Sequence, residues 1–385
     1  MKVLHLGVSS GAAGDMISAA LLELFDDRSA ALARLNEIGL PGVVFRAETV
    51  TRHQIAGTHL RVLYRGEEEG DAPHHSHDHH RHLSDVTEIV AGLNLPACVK
   101  ADVEAVYRSI AEAESAVHGE PVQQVHFHEL GMMDAIADVS AACLLKHLLG
   151  VEHVTATSVC TGYGKVRCAH GLLDIPAPAT AKLLEGLPCF AGTMEGELCT
   201  PTGAALVRHF AQAFGPMPEM TVQRTGFGMG QKDFPNLSAV RAVLGETEET
   251  ILELSCNMDD MSPEAVGFAI DELLRLGAPD AYYTAIGMKK NRPGVTLTCL
   301  CRPEQRDEMV RAMFRHTTTL GIRETLCRRY VLRRGTHTEE TPYGPVRIKR
   351  SEGYGVTREK AEYDDLKRIA REANMTLEEA RSLIK

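Results

Sequence analysis

Between Gly245 and Thr250 the chain changes pattern, and the elements beyond that point come in one restrictive order. Glu246–Glu249 is an acidic, threonine-containing linker. After it, Ile251–Cys256 has strand character, and Pro263–Leu276 has helical spacing behind a Ser262 cap with proline in its first turn. Ala281–Met288 and Val295–Cys301 are expected strands, Glu304–Phe314 a helix and Arg323–Arg333 a last strand. The order βαββαβ is the ferredoxin-like arrangement, which assigns residues 251–334 to one domain. Residues 335–385 are expected to add a hairpin around Pro342-Tyr343-Gly344-Pro345 and helices at Glu359–Ala373 and Thr376–Ile384. Residues 1–245 form a separate mixed α/β domain, so the class is α+β with an α/β first half.

In that first half, Val3–Leu6 is a short apolar strand. The loop Ser9-Ser10-Gly11-Ala12-Ala13-Gly14-Asp15 leads from it into a helix Met16–Leu24. Such a loop offers free backbone N–H groups to an anion. The Lys-Ser/Thr ending of a P-loop is missing, and Asp15 repels phosphate while suiting a metal. Val43–Val50 and Thr58–Tyr64 read as paired strands, Leu83–Gly92 and Pro96–His118 as helices, and Val151–Val159 as a strand. Ala179–Leu184 and Ala204–Phe214 read as helices, the latter capped by Thr202, and Leu237–Leu244 as a closing strand. Thr225–Gly230 is glycine-rich but opens no helix, so it reads as a loop.

Composition narrows the function. The formal net charge of −11 argues against a nucleic-acid-binding protein, because nothing offsets phosphate repulsion over a broad surface. Trp is absent and aromatics make up 5%, which weakens any base-stacking groove. No apolar run reaches the roughly 18 residues of a membrane span. The start MKVLHLGVSSGAAGDM lacks the basic-then-apolar layout of a signal peptide. Ten cysteines without a C-x-x-C pair or regular framework fit a reduced, cytoplasmic protein.

Three stretches carry chemistry. In Val125–Asp138, VHFHELGMMDAIAD, His126 and His128 point to one side if they lie on an extended segment. Gly131 opens an apolar helical run to Leu149, with Asp134 and Asp138 four apart on one face. Imidazoles and carboxylates converging there suit a divalent cation or general acid/base work. A plain helix start, with Glu129 favouring the dipole and the histidines in a loop, explains the same letters. Second, His74, His75, His77, His79, His80 and His82 crowd a segment without apolar residues. It is expected to be a disordered loop within 66–82 that binds nickel, copper or zinc. Cys168-x-His170 adds a thiol and an imidazole, too little for a structural zinc site. Third, Asn257-Met258-Asp259-Asp260-Met261 and Met288-Lys289-Lys290-Asn291-Arg292-Pro293-Gly294 set an acidic loop beside a basic one on the ferredoxin-like domain. Thr317-Thr318-Thr319-Leu320-Gly321-Ile322-Arg323 adds hydroxyls and a cation. Together they fit a nucleoside triphosphate with its divalent metal.

GAAGDM, the histidine-rich segment, VHFHELGMMDAIAD, CAHGLLDIPAPAT, EGELCTPTGAA, NMDDMSPE, MKKNRPG and HTTTLGIRET occur in one order along nearly the whole chain. In this the sequence resembles the LarC nickel-insertion family of the lactate racemase cofactor pathway. The resemblance implies CTP-dependent insertion of nickel into pyridinium-3,5-bisthiocarboxylic acid mononucleotide, with carbon–nickel and sulfur–nickel bonds formed by a nickel chelatase. Manganese or magnesium would accompany CTP, apo lactate racemase would receive the product, and the protein would be a homo-oligomer. On chemical grounds Lys289, Lys290, Arg292, Thr318 and Arg323 are then expected at CTP, and Asp259 and Asp260 at its metal. His126, His128, Cys168 and His170 are expected at nickel, with Glu129 as ligand or general base alongside His126 and His128. The alternative is a non-catalytic nickel carrier or store that works through the histidine-rich loop.

Overall fold

The computed structural model describes residues 1–68, 81–127, 129–168, 171–232, 234–248 and 250–384. The chain divides into two compact units, Met1–Thr247 and Glu248–Lys385.

The first unit is built on a seven-stranded mixed sheet. Its order is Val43–Arg52, Ile55–Tyr64, Thr221–Met229, Ala239–Glu246, Lys2–Gly7, His153–Ala156 and Ala213–Phe214. Lys2–Gly7 pairs antiparallel with Ala239–Glu246 on one side and parallel with His153–Ala156 on the other. Flanked on both edges and covered on both faces, it buries five of its six residues, which is why it reads as a nearly unbroken apolar run. The one polar residue among those five, His5, holds Thr155 Oγ1 at 2.8 Å through Nδ1. Burial and then Arg241 lower its pKa, so it sits there as neutral imidazole.

Gly14–Leu22 is the central helix of this unit. All its residues but Asp15 are buried, so it shows no polar face. It packs against the strand Thr221–Met229 and the helix Met133–Leu148. Here the sequence expectation of a loop at Thr225–Gly230 is corrected, because most of that stretch is strand. The glycines have a packing reason: a Cβ on Gly228 would lie 1.8 Å from the Met16 carbonyl oxygen, and one on Gly226 2.3 Å from that of Ala20.

Other boundaries move as well. The expected helix Ala204–Phe214 is Pro201–Phe210 followed by a short strand, and its cap is Thr200, whose side chain accepts from Gly203 N–H, not Thr202. Val151–Val159 is two short strands, His153–Ala156 and Val159–Cys160. Part of the expected loop after it is a small hairpin, Lys165–Cys168 with Gly171–Asp174.

In the second unit, Thr250–Met258, Pro263–Arg275, Asp280–Met288, Arg292–Cys301, Arg306–His316 and Arg323–Arg328 run in the order βαββαβ. Their four strands form an antiparallel sheet in the order Asp280–Met288, Arg292–Cys301, Thr250–Met258, Arg323–Arg328. Leu254, Cys256, Leu297, Cys299, Leu273 and Met309 form its core between sheet and helices. The expected last strand stops at Arg328, and a new one begins at Arg333. Residues 333–361 form three strands, not a lone hairpin, and Tyr363–Glu372 starts after them, later than the expected Glu359. Val346, Ile348, Leu366, Ile369 and Ala380 close a separate small core there.

Because both cores of residues 248–385 are internal to it, that segment expressed alone should give a folded circular dichroism spectrum and a cooperative melt. An unfolded spectrum would move the boundary away from 247.

Candidate functional site

Three of the sequence motifs meet at Gly14. Ala12 N–H donates to Leu198 O at 2.8 Å, and Thr200 N–H donates back to Ala12 O at 3.0 Å. Gly203 lies so close that a Cβ there would be 2.1 Å from Ala12 O. A Cβ on Gly14 itself would come within 2.8 Å of Asp138 Cβ and Oδ2 and 3.0 Å of Thr202 Cγ2. The backbone therefore needs glycine at both places to draw the starts of two helices together and to seat Asp138 against them. Ser18 Oγ donates to the Asp138 carbonyl at 3.1 Å, fastening the helices Gly14–Leu22 and Met133–Leu148 one turn further on.

The result is a pair of coupled carboxylates. Asp15 N–H donates to the Asp138 carboxylate, yet Asp138 Oδ1 is closed off from solvent and accepts no hydrogen bond among the described residues. Burial pushes the Asp138 carboxyl well up, and the charges of Asp15 and then Asp134 add to that. Asp15 is raised to about 6 by burial, against the pull of the Met16 N–H and of Lys232. A quarter of its side chain nevertheless stays exposed. His59 Nε2 is 4.0 Å from Asp15 Oδ2, and burial foremost lowers its pKa.

The pair is linked to the segment carrying His126. Tyr107 donates to Leu130 O at 3.2 Å, and burial, then Asp134 and Asp138, push its hydroxyl pKa upward. Arg81 donates to Gly131 O through its guanidinium and accepts Phe127 N–H at 2.8 Å through its carbonyl. His126 is exposed, and its ring centroid lies 4.1 Å from that of His82. Val122–Gln124 and Glu129–Gly131 are short 3-10 turns, and between them Phe127 pairs with Arg81 in an isolated antiparallel bridge. His128, His170, His74, His75, His77, His79 and His80 lie outside the described residues. Cys168 ends its strand half-buried, and no described contact joins it to His126. Among the described residues, no three His, Cys, Asp or Glu side chains are grouped to hold a metal ion.

In the second unit Arg292, Asp259, Thr318, Asp260 and Arg323, among the sequence-predicted residues, lie in linked loops. Arg292 Nη1 pairs with Asp259 Oδ2 at 3.0 Å, and Thr318 Oγ1 donates to Asp260. Asn257 Oδ1 accepts from Arg323 at 2.9 Å and from Thr296 at 3.0 Å. Lys290 and Asn291 have φ of 63° and 56°, a left-handed turn that leaves Lys289 and Lys290 exposed. Three loops thus share one polar edge. Asn257 and Thr296 join this group although sequence reasoning does not single them out as site residues, because nothing in their own spacing marks them. Asp15 and Asp138 are visible as polar letters, but their meeting depends on Gly14 and on a contact 123 positions apart in the chain.

The carboxylate pair makes a signed prediction about stability. Both folded-state pKa values lie above the unfolded one, so both groups bind protons more tightly when folded. The folded state is then favoured at low pH, and it loses stability as pH rises through about 6. Asp138→Asn should therefore raise the melting temperature at pH 7.5, a gain that vanishes near pH 4. Thermal melts showing a pH-independent difference would remove the coupling.

Comparison with known proteins bears on the whole chain. The model of the nickel insertion protein family matches residues 4–381. A pyridinium-3,5-bisthiocarboxylic acid mononucleotide nickel insertion protein from Geobacillus kaustophilus is 36% identical, over 96% of this chain and 94% of its own. One of the same name from Desulfitobacterium hafniense is 37% identical, over 96% and 93%. Among solved structures, apo LarC2, the C-terminal domain of a cyclometallase involved in synthesis of the NPN cofactor of lactate racemase, is 30% identical. It covers 36% of this chain and 96% of its own, with a TM-score of 0.34. No helix among the described residues is long and apolar enough to cross a membrane. With a match that spans nearly its full length, the chain belongs to the nickel insertion protein family.

Proposed function

We propose that this protein inserts nickel into pyridinium-3,5-bisthiocarboxylic acid mononucleotide in a CTP-dependent cyclometallation, supplying a lactate racemase with its nickel-pincer cofactor. The names of its full-length relatives support the substrate. The observation that carries the CTP part is the shared edge of the second unit, where Arg292, Arg323 and Thr318 meet Asp259, Asp260 and Asn257. In a ferredoxin-like domain with this edge, Lys289, Lys290 and Arg292 take the triphosphate. The carboxylates of Asp259 and Asp260 exchange their present partners for manganese or magnesium, ions that favour oxygen ligands.

Nickel is a substrate here. His126 and His128, with Cys168 and His170, are the donors suited to it, and Glu129 is a further ligand. The histidine-rich segment with His74, His75, His77, His79 and His80 acts as a labile collector ahead of that site. The reaction belongs in the cytoplasm, where thiols remain reduced, and the protein works as a homo-oligomer.

Two experiments test this reading. Lys289→Ala or Arg292→Ala should weaken CTP binding by one to two decades in calorimetry, the effect of losing a charge-assisted contact of about 1.5–3 kcal/mol. Unchanged affinity in both would take the loop out of the site. Separately, deleting residues 73–82 should leave product formation largely intact at saturating nickel, as followed by mass spectrometry. Changing both His126 and His128 to Ala should abolish it while CTP still binds. The reverse result would assign function to the collector and favour a nickel store over an enzyme.

A further inference from the structure

Replacing a ring hydrogen by nickel requires a base, and the first unit contains one with unusual surroundings. Asp15 opens the central helix with a quarter of its side chain exposed, and Asp138 sits directly behind it in the gap left by Gly14. A carboxylate kept for structure is ordinarily satisfied by hydrogen bonds. Among the described residues Asp138 is not: Oδ1 is sealed and unpaired, while the rest of the carboxylate takes the Asp15 N–H. The surrounding elements each present one polar group or more. His59 comes from the strand Ile55–Tyr64, Asp134 from the helix of Asp138, Lys232 from the loop after Thr221–Met229, and Tyr107 and Arg81 from the side of the 126–131 segment. An open carboxylate with a sealed one at its back, beside an imidazole, is the layout of a proton acceptor.

We propose that Asp15 accepts the proton leaving the pyridinium ring carbon during nickel insertion, with Asp138 as the positioning residue behind it. The proposal rests on the function reading above. The C–H bond breaks heterolytically, and its electron pair becomes the carbon–nickel bond. The proton goes to the Asp15 carboxylate, and nickel stays divalent, so no oxidant is required. His59, 4.0 Å away, is placed to pass the proton on toward solvent. Its lowered pKa leaves it neutral, able to receive a proton. Asp138 has the complementary role: it closes the inner side of Asp15 to water, and that burial holds Asp15 near 6, far closer to neutrality than an ordinary aspartate and therefore a stronger base.

The test uses the full-length protein with CTP, manganese, nickel and the thiolated pyridinium mononucleotide, either protiated or deuterated at the metallated carbon. Asp15→Asn should slow formation of the carbon–nickel product at least about 100-fold, within the range for loss of a general base. Nickel and CTP binding, followed by calorimetry, should change less than twofold. Asp138→Ala, which opens the inner side of Asp15 to water, should retain part of the rate and shift the acid limb of the kcat–pH profile downward from about 6. A purely structural role would leave that limb in place. Wild-type turnover with an unchanged rate in Asp15→Asn overturns this assignment alone, as does loss of nickel binding in that variant, which would make Asp15 a ligand. A wild-type protein that forms no carbon–nickel product overturns the function reading and this assignment with it.

Discussion

The close approach of the helix Gly14–Leu22 to its neighbours is the constraint on which the first unit depends. Gly226 and Gly228 let the helix backbone rest on the sheet, and Gly14 and Gly203 let three motif segments touch. Each of these contacts is backbone against backbone or backbone against a short side chain, with no room for a Cβ. Packing this tight has no soft response to a methyl group, because a main-chain carbonyl cannot swing aside as a lysine can. The same tightness produces the chemistry. Asp138 is desolvated because Gly14 admits it against the helix start, and desolvation is the first cause of its raised pKa. Fold and acid/base behaviour therefore share one origin.

The two units treat their carboxylates in opposite ways. In the second, Asp259 and Asp260 meet a guanidinium and a hydroxyl at a partly open edge. In the first, Asp15 and Asp138 face each other with Asp134 nearby, and the Lys232 charge only partly offsets the effect of burial on Asp15. Like charges that close cannot both ionise at ordinary cost. Carboxylates held by a guanidinium and a hydroxyl at an open edge are suited to exchange those partners for a hard cation. A desolvated pair whose charges oppose each other is suited to take a proton from something else. The contrast comes from the neighbours, since the residues are chemically identical.

Much of this is legible in the sequence, and the remainder is hidden for physical reasons. The βαββαβ order after residue 250 can be read because its two helices each bury one face, Val266, Ala269 and Leu273 in one and Met309, Ala312 and Met313 in the other, and so show their period. The helix Leu83–Gly92 matches its expected span for the same reason. Thr221–Met229 resembles a loop in sequence because its glycines answer to a helix packed against the strand, a partner far away in the chain, and not to a turn. Thr200 and Thr202 are equally plausible caps by letter, since both precede Gly203. Only the extended backbone of Thr200 and its bond from Gly203 N–H decide between them. Among the candidate site residues, Lys289, Arg292, Asp259, Asp260, Thr318 and Arg323 stand out as charged or hydroxyl-rich loops. Asn257 contributes through position alone, and Asp15 with Asp138 through a meeting that no local spacing encodes.

The separation of donor types along the chain has a further rationale. Nickel stands near the top of the affinity order for divalent first-row ions, well above manganese, at any site offering nitrogen or sulfur. A triphosphate metal site that included an imidazole or thiolate would be captured by the nickel the protein is proposed to handle. The edge formed by Asp259, Asp260, Asn257 and Thr318 presents oxygen donors, and the Cys256 thiol beneath it is buried with its pKa raised by that burial. It is thereby held as a neutral thiol, a poor ligand. The histidines and the Cys168 thiol proposed for nickel all belong to residues before 247. If both sites are as proposed, discrimination between the two metals needs no fine geometry at either one. It would be set by which donor side chains lie at each proposed site.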